Sequence, residues 1–253
     1  MKITILGCGA SYGVPSLLKG FGKCDPSNPK NTRFRCSILI EEQGQNILVD
    51  TPPEIRLELL RSKIKKIDAL LYTHCHYDHM AGAEDVRNFT YKQGKILDIY
   101  GTKHDLNTFK NQMKFVFRKQ KNAASITLNP IKMYIPFEVN GISVLPIKQY
   151  HGSINSVGYR IGSFAYSTDV KSMDKKGFEL LKGIDTWILE CTTSKITSGH
   201  ILLDEALNWI DCIHPKRAYL THLGDEWDYD ELAKKLPKNV KPVYDGMIIK
   251  TKC

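Results

Sequence analysis

A short apolar run that leads into a dense group of metal-ligand side chains constrains this chain more than any other feature. Residues 70–73 are Leu-Leu-Tyr-Thr, and the next six residues include His74, His76, Asp78 and His79. Three imidazoles and a carboxylate this close together are costly to bury, because each polar group then needs its own partner. A divalent metal ion supplies such a partner. The segment therefore predicts a strand whose end lies at a metal site.

The spacing within this group predicts how it divides. His74 and His76 alternate at a strand end and can point the same way, so they can bind one ion. Asp78 and His79 lie where a helix begins and can bind a second ion. Imidazole nitrogens and carboxylate oxygens suit Zn²⁺, Mn²⁺ or Fe²⁺. Since no thiolate joins the set, it is typical of an open, catalytic site and not of a closed structural zinc site.

The rest of the chain predicts an α/β protein. Amphipathic helices are predicted at 54–63, 79–88, 104–119, 175–182, 203–213 and 228–236. Apolar, β-rich runs predict strands at 2–6, 37–41, 46–50, 68–73, 97–100, 142–147, 157–161, 164–168, 186–190, 217–221 and 242–250. Strands outnumber helices, so two sheets flanked by helices fit better than one alternating βαβ sheet or barrel. With no linker-like segment, we expect one domain over residues 1–253.

Composition bears on the compartment and on the partners. Seven scattered cysteines without a C-x-x-C pair indicate free thiols in a reducing compartment. No apolar run is long enough for a membrane span, and no signal-peptide core is visible, so we predict a cytoplasmic protein without membrane contacts. The net charge of +9 favours anionic partners, although lysines on predicted helices can equally form a solvated surface.

The H-x-H-x-D-H pattern of residues 74–79 resembles the signature of the metallo-β-lactamase-fold hydrolases, whose fold is a four-layer αββα sandwich. His151, Asp169 and His222, each just after a predicted strand, match the remaining ligands of that family. The resemblance implies two divalent ions, Zn²⁺ or Mn²⁺ first and Fe²⁺ as an alternative. It makes Asp169 the bridge between a first ion held by His74, His76 and His151 and a second held by Asp78, His79 and His222.

The resemblance also implies a reaction. Two ions that share a water lower the pKa of that water from about 15.7 toward about 7, which yields hydroxide at neutral pH. Asp169 resembles the aspartate of phosphodiesterases, lactonases and thioester hydrolases, which the true β-lactamases lack. His200 resembles the family histidine that contacts phosphate and protonates the leaving oxygen, a role that suits a pKa near neutrality. We therefore expect His200 and Asp78 to take part in catalysis.

Further segments indicate which branch of the family the chain resembles. Residues 7–15, 33–37, 49–53 and 244–247 resemble the PhnP-like branch, which lies near the tRNA 3′-processing endonucleases. This implies a small or cyclic phosphodiester as substrate. A nuclease acting on RNA or DNA ends, a lactone or thioester hydrolase and a non-catalytic binding protein are the alternatives. No long Gly/Pro-rich arm is evident, which counts against tRNA, and the oligomeric state, including a homodimer, stays open.

Four charged residues outside the ligand set are candidates for supporting roles. Arg33 and Arg35 offer paired donors to phosphate, although a plain surface role fits as well. Asp50 and Asp245 can orient metal-binding histidines, or simply cap turns. His104 and His214 match no ligand position in the family, so we expect structural or surface roles for both.

Two other metal or cofactor sites are not expected. The early loop at 22–29 contains only Cys24, whereas the phosphoribosyl cyclic phosphodiesterase of the branch has a cysteine-rich structural zinc site there. The glycines at 7 and 9 do not continue as a dinucleotide-binding loop, because Tyr12 occupies the third glycine position and Pro15 follows where a helix should begin.

Overall fold

Strands with apolar residues at consecutive positions form most of the framework. The computed structural model describes residues 1–117 and 126–252. Within them the strands are β1 (Lys2–Gly7), β2 (Ser37–Glu42), β3 (Gln45–Val49), β4 (Ala69–Leu71), β5 (Leu97–Thr102), β6 (Ile126–Ile131), β7 (Phe137–Val139), β8 (Ile142–His151), β9 (Ile154–Ile161), β10 (Phe164–Ser167), β11 (Thr186–Glu190), β12 (Arg217–Thr221), β13 (Val240–Pro242) and β14 (Ile248–Lys250).

The strands form two mixed sheets of seven strands each. The first has the order β14-β1-β2-β3-β4-β5-β6, and the second has the order β13-β12-β11-β10-β9-β8-β7. In the first sheet β3, β4, β5 and β6 run parallel, and in the second β10, β11, β12 and β13 do. The parallel pairs require crossover connections, which helices provide.

The helices cover the outer faces of the two sheets. They are α1 (Ile55–Arg61), α2 (Tyr77–Met80), α3 (Ala83–Gln93), α4 (Lys103–Gln112), α5 (Lys175–Leu181), α6 (Leu203–Ile213) and α7 (Tyr229–Lys235). Apolar residues of α1 to α4 pack on the first sheet, and those of α5 to α7 pack on the second. No helix in the described ranges is long and apolar enough to span a membrane.

Side-chain alternation explains the layered core. In β1, Ile3 and Ile5 belong to the cluster between the sheets, whereas Leu6 belongs to the cluster under the helices. In β2, Ile38 faces the interior between the sheets and Leu39 faces the helices. Sheets buried on both faces need apolar residues at successive positions. The predicted four-layer αββα sandwich is therefore confirmed.

Some predicted boundaries were wrong for physical reasons. The helix predicted at 79–88 is two helices, and at the break between them the Gly82 amide donates to the Thr51 carbonyl at 2.8 Å instead of to a helix carbonyl. The strand predicted at 242–250 is interrupted by a turn at Gly246, where φ is +89°. The helix predicted at 104–119 ends at Gln112, and its last two predicted residues lie outside the described ranges.

Two strands at the edges of the sheets were not predicted. β6 contains Asn129 and Pro130, which weaken the sequence signal for a strand, but an edge strand tolerates proline. β7 has only three residues. Most of the predicted strands lie within a few residues of their observed positions, and β8 extends beyond its predicted end to His151.

The carboxyl ends of several strands meet along one edge of the sandwich. β3 ends before Asp50, β8 ends at His151, β10 ends before Asp169 and β12 ends before His222. Hydrogen bonds join the two sheets beside this edge: Tyr159 Oη donates to the Tyr72 carbonyl at 2.6 Å, and the Val157 amide donates to the Thr73 carbonyl at 2.8 Å. The fold thus brings the predicted ligands from both sheets to one place.

Candidate metal centre

The backbone at three of these strand ends is left-handed. φ is +63° at Asp50, +52° at Asp169 and +56° at His222. Such values are costly for residues other than glycine and persist where surrounding contacts hold them, most often at functional sites. All three side chains are almost completely buried. The left-handed backbone therefore indicates that the direction of these three side chains is important enough to offset its cost in conformational energy.

The predicted ligands form two groups that share Asp169. Potential ligand atoms of His74, His76 and His151 lie within 4.8 Å of one another, and so do those of Asp78, His79 and His222. Asp169 lies between the groups. Its Oδ2 is 3.2 Å from His79 Nε2, and its Oδ1 is 3.5 Å from His222 Nε2 and 3.8 Å from His151 Nε2.

Four of the histidines present the same nitrogen to the centre. In each of them Nδ1 already has a protein partner, which orients the ring and leaves Nε2 free. The partners are Thr73 Oγ1 for His74 at 3.1 Å, Asp50 Oδ2 for His79 at 2.7 Å, the Gly199 carbonyl for His151 at 2.7 Å and Thr192 Oγ1 for His222 at 2.6 Å. This arrangement is the one that metal-binding histidines require.

Several buried polar atoms of the centre have no hydrogen-bond partner within the protein. Nε2 of His74, His79 and His222 and Oδ2 of Asp78 are buried, and none of the four makes a hydrogen bond. Leaving such atoms unsatisfied costs free energy, so native proteins rarely do it without a ligand or an ion. His76 is exposed beside them, which leaves the centre open to solvent. The residues present therefore fit divalent metal ions.

Electrostatics at the centre favour a cation. Burial opposes charge on His79, but the carboxylates of Asp169, Asp78 and Asp50 raise its pKa well above the ordinary value. Burial likewise opposes charge on Asp169, yet the nearby His222 and His79 hold its pKa well below the ordinary range. The carboxylate of Asp169 therefore stays ionised at neutral pH and places a negative charge beside the free nitrogens.

His200 lies at the margin of the centre and is held by a buried carboxylate. Glu190 Oε2 is 2.7 Å from His200 Nδ1, and the same oxygen accepts a hydrogen bond from Thr192 Oγ1 at 2.8 Å. Burial lowers the pKa of His200, but the hydrogen bond and charge of Glu190 raise it above the ordinary value. Potential ligand atoms of His200, His151 and Asp169 lie within 4.8 Å of one another. His200 therefore lies beside the metal-ligand groups with its Nε2 available.

Of the two aspartates expected to orient histidines, Asp50 is in the predicted position and Asp245 is not. Asp50 contacts His79, and it also accepts hydrogen bonds from the amide and hydroxyl of Thr73 at 2.8 Å and 2.7 Å. Asp245 instead accepts hydrogen bonds from the amides of Cys8 and Phe34 and lies 3.4 Å from Arg61. Asp245 thus stabilises the loop after β1, and the prediction that it orients a histidine was wrong.

Arg33 and Arg35 differ in burial and in the partners they contact. Arg33 is 1% exposed, and its guanidinium donates to Asn31 Oδ1 and to the carbonyls of Gly224 and Trp227, with Cys24 Sγ 3.8 Å away. It joins the early loop to the segment after β12, so the structure contradicts a phosphate-binding or surface role. Arg35 forms an ion pair with Glu54 and has Tyr77, the neighbour of Asp78, 5.8 Å from its guanidinium carbon.

Sequence reasoning missed the residues that orient the ligands. Thr73, Glu190, Thr192 and the carbonyl of Gly199 each contact a histidine of the site. Glu190 carried a usable signal, because a carboxylate at the end of the fully buried strand β11 needs a partner. The other three carried none, since threonine and a backbone carbonyl are ordinary at any loop.

Comparisons with known proteins assign the chain to a family. A family model described as the beta-lactamase superfamily domain matches residues 45–223, which include all seven predicted ligands. The chain belongs to this superfamily. A solved structure titled as a new diphosphatase from the PhnP family is 30% identical, covers 99% of this chain and 98% of its own, and superposes with a TM-score of 0.93. The chain therefore has the metal-dependent hydrolase fold and belongs to the PhnP family.

Curated relatives extend the comparison. An octanoyltransferase of Porphyromonas gingivalis is 29% identical over 98% of this chain, and a ribonuclease Z of Clostridium kluyveri is 24% identical over 79% of it. The matches cover 51% and 58% of those two proteins. The chain thus spans about half the length of the curated relatives it matches. Their names describe longer proteins, so the activities named stay with those proteins.

Proposed function

We propose that the chain is a dinuclear metal-dependent phosphodiesterase that acts on a small or cyclic phosphodiester. The observation that carries the proposal is the position of Asp169, whose carboxylate lies within 3.8 Å of Nε2 atoms from both ligand groups, those of His79 and His222 in the second and that of His151 in the first. We assign His74, His76 and His151 to a first ion, Asp78, His79 and His222 to a second, and Asp169 to both. Zn²⁺ or Mn²⁺ suits this donor set best, with Fe²⁺ as an alternative.

The protein's own residues prepare the site for this chemistry. When bound, two divalent ions lower the pKa of water and withdraw charge from a phosphoryl oxygen, which is what phosphodiester hydrolysis requires. Asp50 and Thr192 fix the rings of His79 and His222 through their Nδ1 atoms. Ligand atoms held in one geometry before substrate arrives do not need to reorganise during the reaction.

His200 is the residue that we assign to the leaving group. Its Nδ1 bonds to Glu190, so its Nε2 is the atom that can donate a proton to the departing oxygen. Glu190 also raises the pKa of His200 above its ordinary value, which favours the protonated ring. A histidine with this arrangement suits a general acid, which the poor alcohol leaving groups of phosphodiesters require.

The names of two relatives support a reaction in which a bond to phosphorus is cleaved. The PhnP-family neighbour is titled a diphosphatase, and the relative from Clostridium kluyveri is named a ribonuclease Z. The ribonuclease relatives and the net charge of +9 make a nuclease the second candidate function. The relative named octanoyltransferase makes an acyl thioester a substrate to be tested against both.

A hydrolysis screen tests the proposal. Protein loaded with Zn²⁺ or Mn²⁺ is assayed on bis(p-nitrophenyl) phosphate, cyclic nucleotides, a dinucleoside diphosphate, single-stranded RNA and an octanoyl thioester, with His76→Ala as the inactive control. We expect turnover of the small phosphodiesters that His76→Ala abolishes. Turnover of the thioester alone would overturn the proposal. Cleavage of RNA alone, with affinity that falls steeply as salt rises, would favour the nuclease.

A further inference from the structure

We propose that Cys75, His104 and Asp105 form an additional divalent-metal site outside the candidate metal centre. Potential ligand atoms of the three side chains lie within 4.8 Å of one another. A thiolate, an imidazole and a carboxylate together suit a borderline-soft ion, so the site is expected to take Zn²⁺ or its spectroscopic substitute Cd²⁺. We name this group the Cys75 site.

The topology explains how the three residues meet. Cys75 follows β4, and His104 and Asp105 lie in the first turn of α4, directly after β5. Because β4 and β5 are parallel neighbours, their carboxyl ends lie side by side. The side chain of Cys75 packs against the apolar cluster under the helices, away from the centre to which its neighbours His74 and His76 contribute.

The surroundings suit a site that an ion can reach from solvent. Asp105 is 4% exposed, its backbone amide donates to Thr102 Oγ1 at 3.2 Å, and its carboxylate accepts a hydrogen bond from the same hydroxyl. The Cys75 thiol, half-buried, contacts Asp105 and Thr108. His104 is exposed. One ligand is thus held in place by the start of α4, and the other two remain accessible.

Metal binding at the Cys75 site releases a proton and restrains the neighbouring segment of the chain. The Cys75 thiol releases its proton to solvent as the sulfur–metal bond forms, and water completes the coordination of an ion held by three protein ligands. Because Cys75 lies between His74 and His76, an ion here restrains the segment that carries two ligands of the candidate metal centre. Metal binding by Cys75 is thereby linked to the geometry of the candidate metal centre.

Cadmium binding to the full-length protein tests the site directly. Cd²⁺ is titrated into protein whose candidate metal centre is already loaded, and the ultraviolet thiolate-to-cadmium charge-transfer band is recorded. The assigned ligands of that centre include no thiolate, so an ion there gives no such band. We expect a band that saturates with one added equivalent, is lost in Cys75→Ser and is retained in Cys212→Ser, where an exposed cysteine serves as the matched control. His104→Ala should weaken the apparent affinity by about tenfold or more.

Alkylation of Cys75, followed by mass spectrometry, gives a second readout that needs no substitution at the cysteine. Saturating Zn²⁺ should slow alkylation in the unaltered protein by about tenfold or more, and much less in His104→Ala. A charge-transfer band that is absent from the unaltered protein, or that survives in Cys75→Ser, would overturn the proposal. An alkylation rate that Zn²⁺ leaves unchanged would overturn it too.

Discussion

The carboxylate of Glu190 lies 2.7 Å from Nδ1 of His200, and both side chains lie beside the candidate metal centre. The same carboxylate oxygen bonds to Thr192, whose hydroxyl contacts the ring of His222. Its other oxygen accepts the amide of Val170, the residue after Asp169. One buried carboxylate thus holds the side chain assigned to proton donation in a fixed relation to two of the assigned metal ligands.

Replacement of His200 by alanine tests its assignment as the general acid. We expect kcat to fall by about 10²–10⁴ for a phosphodiester with an alkyl alcohol leaving group, because proton donation is lost. The loss should be much smaller for bis(p-nitrophenyl) phosphate, whose leaving group departs without a proton. The control is His214→Asn at the end of α6, where φ is +53° and asparagine is tolerated. Equal losses for the two substrates would contradict the assignment.

Replacement of Asp50 by asparagine tests the orientation of His79. An amide cannot accept the hydrogen bonds from His79 Nδ1 and Thr73 in the same way, so His79 should present Nε2 less well. We expect metal affinity to fall by about 10–100-fold. The measurement is competition with a chelator, and Asp68→Asn, which alters a contact to the Asn46 amide, is the control. Unchanged affinity would show that Asp50 has only a structural role.

The arginines should respond differently to substitution. Arg33→Met leaves buried acceptors in the early loop and after β12 without their donor, and we expect the free energy of unfolding to fall by about 2–4 kcal/mol. Arg35→Gln removes a partly exposed ion pair with Glu54 and should cost about 1 kcal/mol or less. Urea unfolding monitored by fluorescence measures both. Equal losses would contradict the buried structural role of Arg33.

Asp245 should make stability depend on pH. Burial raises its pKa from 3.8 to about 6, although the hydrogen bonds from Phe34 and Cys8 and the charge of Arg61 act against the shift. The folded state therefore binds this proton more tightly than the unfolded state. The resulting stabilisation is complete below about pH 4 and is lost as pH rises toward 6, a change of about 3 kcal/mol. Glu58, whose pKa burial and Asp245 also raise, acts in the same direction.

The comparison of unaltered protein with Asp245→Asn isolates this effect. The metal-binding residues titrate in both proteins, so their contributions cancel when the two free energies of unfolding are subtracted at each pH. We expect the difference between the proteins to change between pH 4.5 and pH 7, with the variant losing less stability as pH rises. A difference that stays constant over this range would contradict the raised pKa.

Local spacing in the sequence carries more information about the candidate site than about the ends of the helices and strands. His74, His76, Asp78 and His79 lie within six residues, so local spacing carries their chemistry. His151, Asp169 and His222 were matched through the resemblance to the family, because each taken alone would pass for an ordinary polar residue near a turn. The strand pattern also predicted the layers, since residues such as Ile38 and Leu39 can be buried together only in a sheet covered on both faces.

The missed features depend on contacts between distant residues. Arg33 has no local signal for burial, because its partners Gly224 and Trp227 lie about 190 residues further along the chain. The role of Asp245 likewise depends on Cys8 and Phe34, which only the folded chain brings near it. At the break between α2 and α3 the Gly82 amide donates to the Thr51 carbonyl, a contact that no periodicity reveals.

Activity as a function of metal added to chelator-treated protein tests whether the chain binds two metal ions. The two ligand groups that share Asp169 predict that hydrolysis of bis(p-nitrophenyl) phosphate rises from near zero and saturates at two equivalents of Mn²⁺ or Zn²⁺ per chain. In Asp169→Asn, activity should stay near zero at every metal concentration. Full activity without any divalent ion, or an Asp169→Asn variant as active as the unaltered protein, would rule out a dinuclear centre bridged by Asp169.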